Sequence, residues 1–332
     1  MEFFKYSSIE NSYRTREVDS IRQYFPQERF LVEEKIHGSN FSLYYDGNEL
    51  KCAKRSSFIG ENANFFQFQK IRDENKSSLI SLYQDICKEG EVLTVCGELA
   101  GGFYNHPDVE KVSGVSKVQS GVQYSPNLFF YVFDVKVNEK FLDIHQRNTL
   151  LEKHGFFYAR PLFEGNLEEC LKYPNDKITT IPRLLGLPDI EDNIMEGVVI
   201  KPIQCLRFTT GERVILKNKN ERFGEKVARH KHVVKEEEPM GEPLKKVYEE
   251  SFNYVNENRL RNVISKIGQV TQKDFGLLQK EMNLDVLEEM EKDDIGLSDL
   301  DDADRKKFNK LIGRNCAMLI RGSFMNILDG NF

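Results

Sequence analysis

No apolar run in this 332-residue chain approaches the roughly 18 to 20 residues that cross a bilayer, which argues against a membrane-spanning helix. The opening stretch MEFFKYSSIENSYRTRE lacks the basic-then-apolar order of a secretion signal and is too acidic for a transit peptide. Cysteines are few and scattered (Cys52, Cys87, Cys96, Cys170, Cys205 and Cys316), with no C-x-x-C pair. That spacing argues against a disulfide framework or a zinc site and for reduced thiols, so the cytoplasm is the expected location. Neither G-x-G-x-x-G nor G-x-x-x-x-G-K-[ST] occurs, and the long crossovers of a doubly wound parallel sheet are missing.

What is present describes a globular protein: 39% hydrophobic and 30% charged residues. The net charge of −6 argues at first against a nucleic-acid partner. Its distribution does not. Between Lys201 and Lys235 there are ten Lys/Arg against three Asp/Glu, while from Glu281 to Arg305 eleven acids face two bases. Phosphate binding depends on local charge, so the basic stretch leaves a cationic groove open.

The first 230 or so residues alternate strand and helix signals. RFLVEEK, FSLYY, ELKCAK, EVLTVCGEL, LFFYVFDVKV, MEGVVIKP and RVILKNK are short, rich in β-branched or aromatic residues, and bounded by turn signals. Asp46-Gly47 predicts an antiparallel hairpin of 41–45 with 49–54, with Phe41, Leu43 and Tyr45 facing the core. Helices are expected around 64–88 and 144–154, the latter stopped by Gly155. These features predict an α+β fold of antiparallel sheets. The charged segment 233–243 reads as a linker, dividing a mixed strand-and-helix domain (1–232) from a smaller all-α domain (244–332). There Phe252, Val255, Leu260, Val263, Ile264 and Ile267 recur at helical spacing before Gly268.

The spacing K-x-x-G occurs four times, at Lys35, Lys111, Lys273 and Lys310. Only Lys35 ends an apolar strand and is followed by a glycine and a second strand. A free lysine is protonated and inert at neutral pH, so a nucleophilic one needs burial and cationic neighbours. Gly38 would let the backbone approach a ligand. Four clusters could complete the pocket: Arg55 in KCAKRS, Glu98 in CGEL, Phe133 and Asp134 in FYVFDV, and Glu196, Lys201, Lys217 and Lys219 in MEGVVIKP and VILKNKN. Lys217 and Lys219, two apart on a strand, share a face and could neutralise a phosphate. Each has a plainer reading as an edge charge or a core aromatic. What stands out is their order along the chain.

In that order the chain resembles the covalent nucleotidyltransferase superfamily of ligases and capping enzymes, and within it the RNA ligase 2 family. EKIHGSNFSL is similar to that family's nucleophile motif, and CAKRS, GEL, YVFDV, EGVVIKP and LKNKN to the motifs that follow. The stretch from GELAGGFYNHPDVEKV to FYVFDV looks more like the trypanosome RNA-editing ligases, whereas the tail, with NRLRNVISKIG and KDFG, is similar to the phage-type C-terminal domain. The resemblance implies an ATP-dependent RNA ligase that seals 3′-OH/5′-phosphate breaks, with duplex nicks as the expected substrate. Lys35 would carry AMP covalently. Glu34, Ile36, His37, Asn40, Arg55, Glu98, Phe133, Lys201, Lys217 and Lys219 would hold the nucleotide, with Phe133 stacked on adenine and the Glu34 backbone and Lys201 at the base edge. Glu196 would position magnesium (or manganese), and Arg259 and Asp285 would handle RNA. No membrane association and a monomer are expected. The alternatives are a DNA ligase or capping guanylyltransferase of the same superfamily, or a non-enzymatic RNA-binding relic. Retention of Lys35, Arg55, Glu98, Glu196, Lys217 and Lys219 together argues against the relic. His230 and His232 lack ligand-spaced partners, so RNA backbone is the better expectation for them than metal. His106 to Asp108 reads as a turn.

Overall fold

The computed structural model describes residues 1–226, 240–330 and 332. The chain separates into two compact units, Met1–Arg222 and Phe223–Phe332. The sequence-expected border at 232/233, most of the expected linker, and His230 and His232 lie outside the described residues.

The strands of the first unit begin with β1 (Glu10–Asn11), β2 (Phe30–Lys35), β3 (Ser39–Tyr45), β4 (Leu50–Lys54) and β5 (Ser57–Phe58). They continue with β6 (Leu93–Phe103), β7 (Ser125–Val137), β8 (Lys140–Phe141), β9 (Pro161–Gly165), β10 (Gly197–Pro202) and β11 (Leu216–Lys219). They form a five-stranded sheet, ordered β1-β11-β10-β2-β9, and a six-stranded sheet, ordered β5-β4-β3-β6-β7-β8. Every ladder is antiparallel except the short β1·β11 pair. The expected hairpin forms with Phe41 opposite Lys54 and Tyr45 opposite Leu50. Asp46 shapes its loop by accepting hydrogen bonds from the backbone N–H of Asn48 (3.0 Å) and Glu49 (2.8 Å).

Each sheet buries one face against helices. On the five-stranded sheet Phe30, Val32, Val198, Ile200 and Leu216 point the same way and pack with Val18 and Ile21 of α1 (Thr15–Tyr24). On the six-stranded sheet Phe41, Leu43, Val95 and Leu99 meet Phe68, Ile71, Leu79 and Leu82 of α2 (Phe68–Ile86), and Leu151 of α3 (Ile144–Lys153). Because side chains alternate along a strand, the residues between these core positions face the other way. On one sheet these are Glu33, Lys35, Lys201, Lys217 and Lys219; on the other they are Asn40, Cys96 and Glu98. Ion pairs join the two faces: Asp134 of β7 meets Lys201 of β10 at 3.7 Å and Arg213 at 2.8 Å. The polar half of each alternation thus lines a cleft between the sheets.

The second unit is helical among its described residues. Leu244, Tyr254, Leu260, Val263, Leu278, Met282, Val286, Phe308, Ile312 and Ile320 form its core. The helix expected from Phe252 starts later, at Glu257, and runs to Ile267. The reason is local: the Asn256 side chain accepts the Arg259 N–H at 3.0 Å and caps the helix there, leaving Phe252 and Val255 outside it. Gly268 ends it as expected. No helix among the described residues is long and apolar enough to cross a membrane.

Candidate active site

Lys35 is the last residue of β2, and its register partner on β10 is Gly197, which is itself opposite Lys219 of β11. Two lysines therefore flank a position with no side chain. Gly197 has φ +150, and a Cβ there would lie 2.2 Å from the Asn218 carbonyl oxygen. No other residue fits. Into the space comes Glu196, buried, with one oxygen 2.7 Å from Lys35 Nζ and the other 3.0 Å from Lys219 Nζ. His37 Nδ1 lies 3.5 Å from the same carboxylate. Burial would push the Glu196 carboxyl up, but Lys35, Lys219 and His37 outweigh it and hold it well below the usual carboxylate range.

This corrects one expectation. The group closest to the Lys35 amine is an acid, with the cation Lys219 one step behind it, where the sequence argument put cations beside the amine. Burying cations at this density requires a counter-charge, and Glu196 supplies it.

Glu98 lies in the middle of β6, not at the strand end expected for it, because the ladder runs on through Ala100 and Gly101 to Phe103. It stands directly opposite Asn40 of β3, so the two side chains share the cleft face. Burial and the nearby Glu196 push the Glu98 carboxyl up to about 8, against the pull of Lys35, Arg55 and Lys219. Arg55 occupies the turn after β4, with Nη2 3.4 Å from Ser8 Oγ. Gly38 has a packing role as well. A Cβ there would meet the Leu99 carbonyl at 2.4 Å and Glu98 Cγ at 2.8 Å, so the glycine lets the β2–β3 turn close onto β6.

Phe133 is the extra residue of a β-bulge: Gly97 pairs with Val132 and Cys96 with Asp134, leaving Phe133 between them. Bulges re-aim side chains, and this one lets consecutive residues Phe133 and Asp134 both serve the cleft. The ring is half-buried and lies edge-on to Tyr6, with centroids 5.1 Å apart. Its carbonyl accepts from Lys201 Nζ at 3.0 Å and from Arg147. Lys201 is buried, 2.7 Å from Glu33, which also pairs with Arg147. Asp134 takes a hydrogen bond from Tyr6. Burial would push its carboxyl up, yet Arg213, Lys201 and Arg147 hold it well below the usual range. Lys201 is thus locked into a charge network beneath the aromatic ring.

Glu34 is on the opposite face from Lys35. Its buried carboxylate accepts from the Thr180 N–H (2.8 Å), the Thr180 hydroxyl (2.6 Å) and Thr179, so only its backbone remains for a ligand. Burial pushes this carboxyl up. Ile36 is buried beside it. Lys217 is half-buried on the same β11 face as Lys219, as expected. His106 to Asp108 forms a turn.

Arg259 and Asp285 do come together, but as a buried pair within the helical unit. Arg259 is 1% exposed, 2.6 Å from Asp285, and donates to the Tyr254 and Glu225 carbonyls. Asp285 also pairs with Lys266. No group of three or more His, Cys, Asp or Glu among the described residues could hold a metal. A divalent ion that brings phosphate and water ligands needs only one or two carboxylates, a number Glu196 can supply.

Sequence reading missed Tyr6, Arg147, Arg213, Tyr124 and Gln119. None was singled out for chemistry in the sequence, and each lies 14 or more positions from the site residue it hydrogen-bonds.

Two antiparallel sheets around a lysine-bearing cleft define the nucleotidyltransferase fold. The family model for RNA ligase matches residues 28–219, and that for the T4 RNA ligase 2 C-terminal domain matches residues 239–318. The chain belongs to the RNA ligase family of ATP-dependent enzymes, in its RNA ligase 2 branch. It is 28% identical to the mitochondrial RNA-editing ligase 2 of Trypanosoma brucei brucei over 329 residues, covering 80% of this chain and 76% of that protein. Against the mitochondrial RNA-editing ligase 1 of the same organism it is 30% identical over 218 residues, covering 53% of this chain and 45% of that one. A structure of Naegleria gruberi RNA ligase with ATP and Mn is 16% identical, with a TM-score of 0.44, covering 67% of this chain and 58% of its own.

Proposed function

We propose that this protein is an ATP-dependent RNA ligase that seals 3′-OH/5′-phosphate breaks, with nicks in duplex RNA as its substrate. The observation carrying this reading is the row Lys35, Gly197, Lys219, with Glu196 bridging the two amines at 2.7 and 3.0 Å.

In the first step Lys35 Nζ, having passed its proton to solvent water and parted from Glu196, attacks the α-phosphorus of ATP. An N–P bond forms, the bond to the bridging oxygen breaks, and pyrophosphate leaves. Lys219 and Lys217 stand beside the position of the α-phosphate and stabilise its developing charge. Phe133 offers its ring to adenine. The fixed ammonium of Lys201 and the Glu34 backbone border the base, while Glu98, Asn40 and Arg55 face the ribose and phosphate end. Glu196, released from Lys35, would hold magnesium together with the phosphates, and the ion would neutralise triphosphate charge. AMP then passes to the RNA 5′-phosphate, breaking the N–P bond and forming a pyrophosphate linkage. Finally the 3′-hydroxyl attacks the RNA phosphorus and AMP leaves.

The helical unit is the part we assign to gripping the duplex, supported by its match to the T4 RNA ligase 2 C-terminal domain. Exposed Lys310, Arg314 and Arg321 recur along one side of α9 (Asp302–Leu328) and suit phosphate contact. Arg259 and Asp285 act there by holding the unit's shape. The test is competition. ATP should label the protein in preference to GTP, and the adenylated protein should seal nicked RNA in preference to nicked DNA. Preference for GTP, or for nicked DNA, would move the assignment to a capping enzyme or a DNA ligase.

A further inference from the structure

The loop between β6 and β7 reaches back to the nucleophile turn at two places. The Tyr124 hydroxyl, buried, accepts the His37 N–H at 2.8 Å, and Gln119 Nε2 donates to the Gly38 carbonyl at 2.8 Å. The same loop holds the approach to Glu196. Gln123 N–H donates to Asn193 Oδ1 at 2.9 Å, and Asn193 Nδ2 donates to the Gln123 carbonyl at 2.6 Å. Asn193 is three residues before Glu196. One loop therefore grips the segment that follows Lys35 and the segment that precedes its carboxylate partner.

The geometry points to Tyr124 as a positioning residue for adenylyl transfer to Lys35, with Gln119 in support. This rests on Lys35 being the nucleophile. The turn after Lys35 is short: β2 ends at Lys35 and β3 begins at Ser39. Three residues connect them, and two have a backbone group bonded to the loop. Fixing His37 N–H and Gly38 C=O fixes the exit direction of Lys35, and with it the line from Nζ to the phosphorus. Small errors on that line are costly to attack. Later sealing of RNA that already carries AMP does not need Lys35 to form a bond. The brace therefore affects the first chemical step selectively.

The test uses the full chain with Tyr124→Phe, which keeps the ring and removes the acceptor, and with Gln119→Leu. Tyr104→Phe is the control, because the Tyr104 hydroxyl also makes a single hydrogen bond from this loop, to the Pro188 carbonyl, away from the nucleophile turn. At saturating ATP, adenylylation should slow by about tenfold or more in Tyr124→Phe and in the same direction in Gln119→Leu, tenfold being about 1.4 kcal/mol of barrier. Sealing of pre-adenylated nicked RNA should stay at the wild-type rate in both, and Tyr104→Phe should adenylylate normally. The proposal is overturned if folded Tyr124→Phe adenylylates at the wild-type rate, if both steps slow equally, or if Tyr104→Phe is slowed as much. A Lys35→Ala protein that still takes up AMP would instead overturn the nucleophile assignment on which the proposal rests.

Discussion

Replacing Gly197 by alanine probes the site's central row without touching a charged group. The new methyl would lie 2.2 Å from the Asn218 carbonyl oxygen and 2.7 Å from Lys219 Cα, whereas ordinary contact begins near 3.4 Å. Relief requires β10 and β11 to part by roughly 1 Å, a displacement that can cost about 100-fold when it falls on reacting groups. The φ of +150 adds backbone strain for any residue with a Cβ, on the order of 1–3 kcal/mol. Because Lys219 is the atom group pushed, its 3.0 Å contact with Glu196 opens first. The expected result is a folded protein, lower in Tm, whose single-turnover uptake of label from α-labelled ATP falls by about 100-fold. Gly60→Ala is the matched control, since nothing lies within 4 Å of its Cβ position. A folded Gly197→Ala protein with wild-type uptake would refute the claim that the Lys35–Lys219 spacing matters.

Three further outcomes follow from the same geometry. Tyr6→Leu removes the ring that meets Phe133 edge-on at 5.1 Å, so the KM for ATP should rise several-fold, checked by labelling across ATP concentrations; an unchanged KM would mean Tyr6 does not set the base end of the site. Asp134 has a depressed folded-state pKa, so its stabilisation is present above the unfolded value of about 3.9 and is lost as pH falls through the folded one. Asp134→Asn should therefore lower Tm at pH 7, with the gap to wild type closing below about pH 4; a pH-independent gap would contradict this. Arg259→Ala breaks a buried ion pair and should destabilise the helical unit by about 3 kcal/mol or more, read as an early calorimetric transition, whereas an unaltered melt would return Arg259 to direct RNA contact.

Alternation made the strands legible before the fold was known. Phe41 and Leu43 face the core as the pattern requires, and Lys217 and Lys219 share the cleft face because they are two apart. Local signals also located the hairpin at Asp46 and the stop at Gly155. Register between distant strands was not legible, and it decides the site. No local pattern says that residue 35 will stand opposite 197 and 197 opposite 219. The strand stretch EVLTVCGEL stops at Leu99, whereas the ladder continues through Gly101 to Phe103, so Glu98 sits mid-strand. The counter-charge on Lys35 was missed for a related reason. Glu196 and Lys35 are 161 residues apart, and a motif can name both without saying that they touch. Arg259 and Asp285 show the converse: both were expected at RNA, and packing that helical spacing alone does not reveal sets them against each other inside the helical unit.

Incubation with ATP and magnesium, followed by digestion and mass spectrometry, tests the central claim most directly. The account predicts one AMP per chain, on the peptide containing residue 35, in an acid-labile phosphoramidate bond. An active protein with residue 35 unmodified, or with AMP on Lys217 or Lys219, would contradict it.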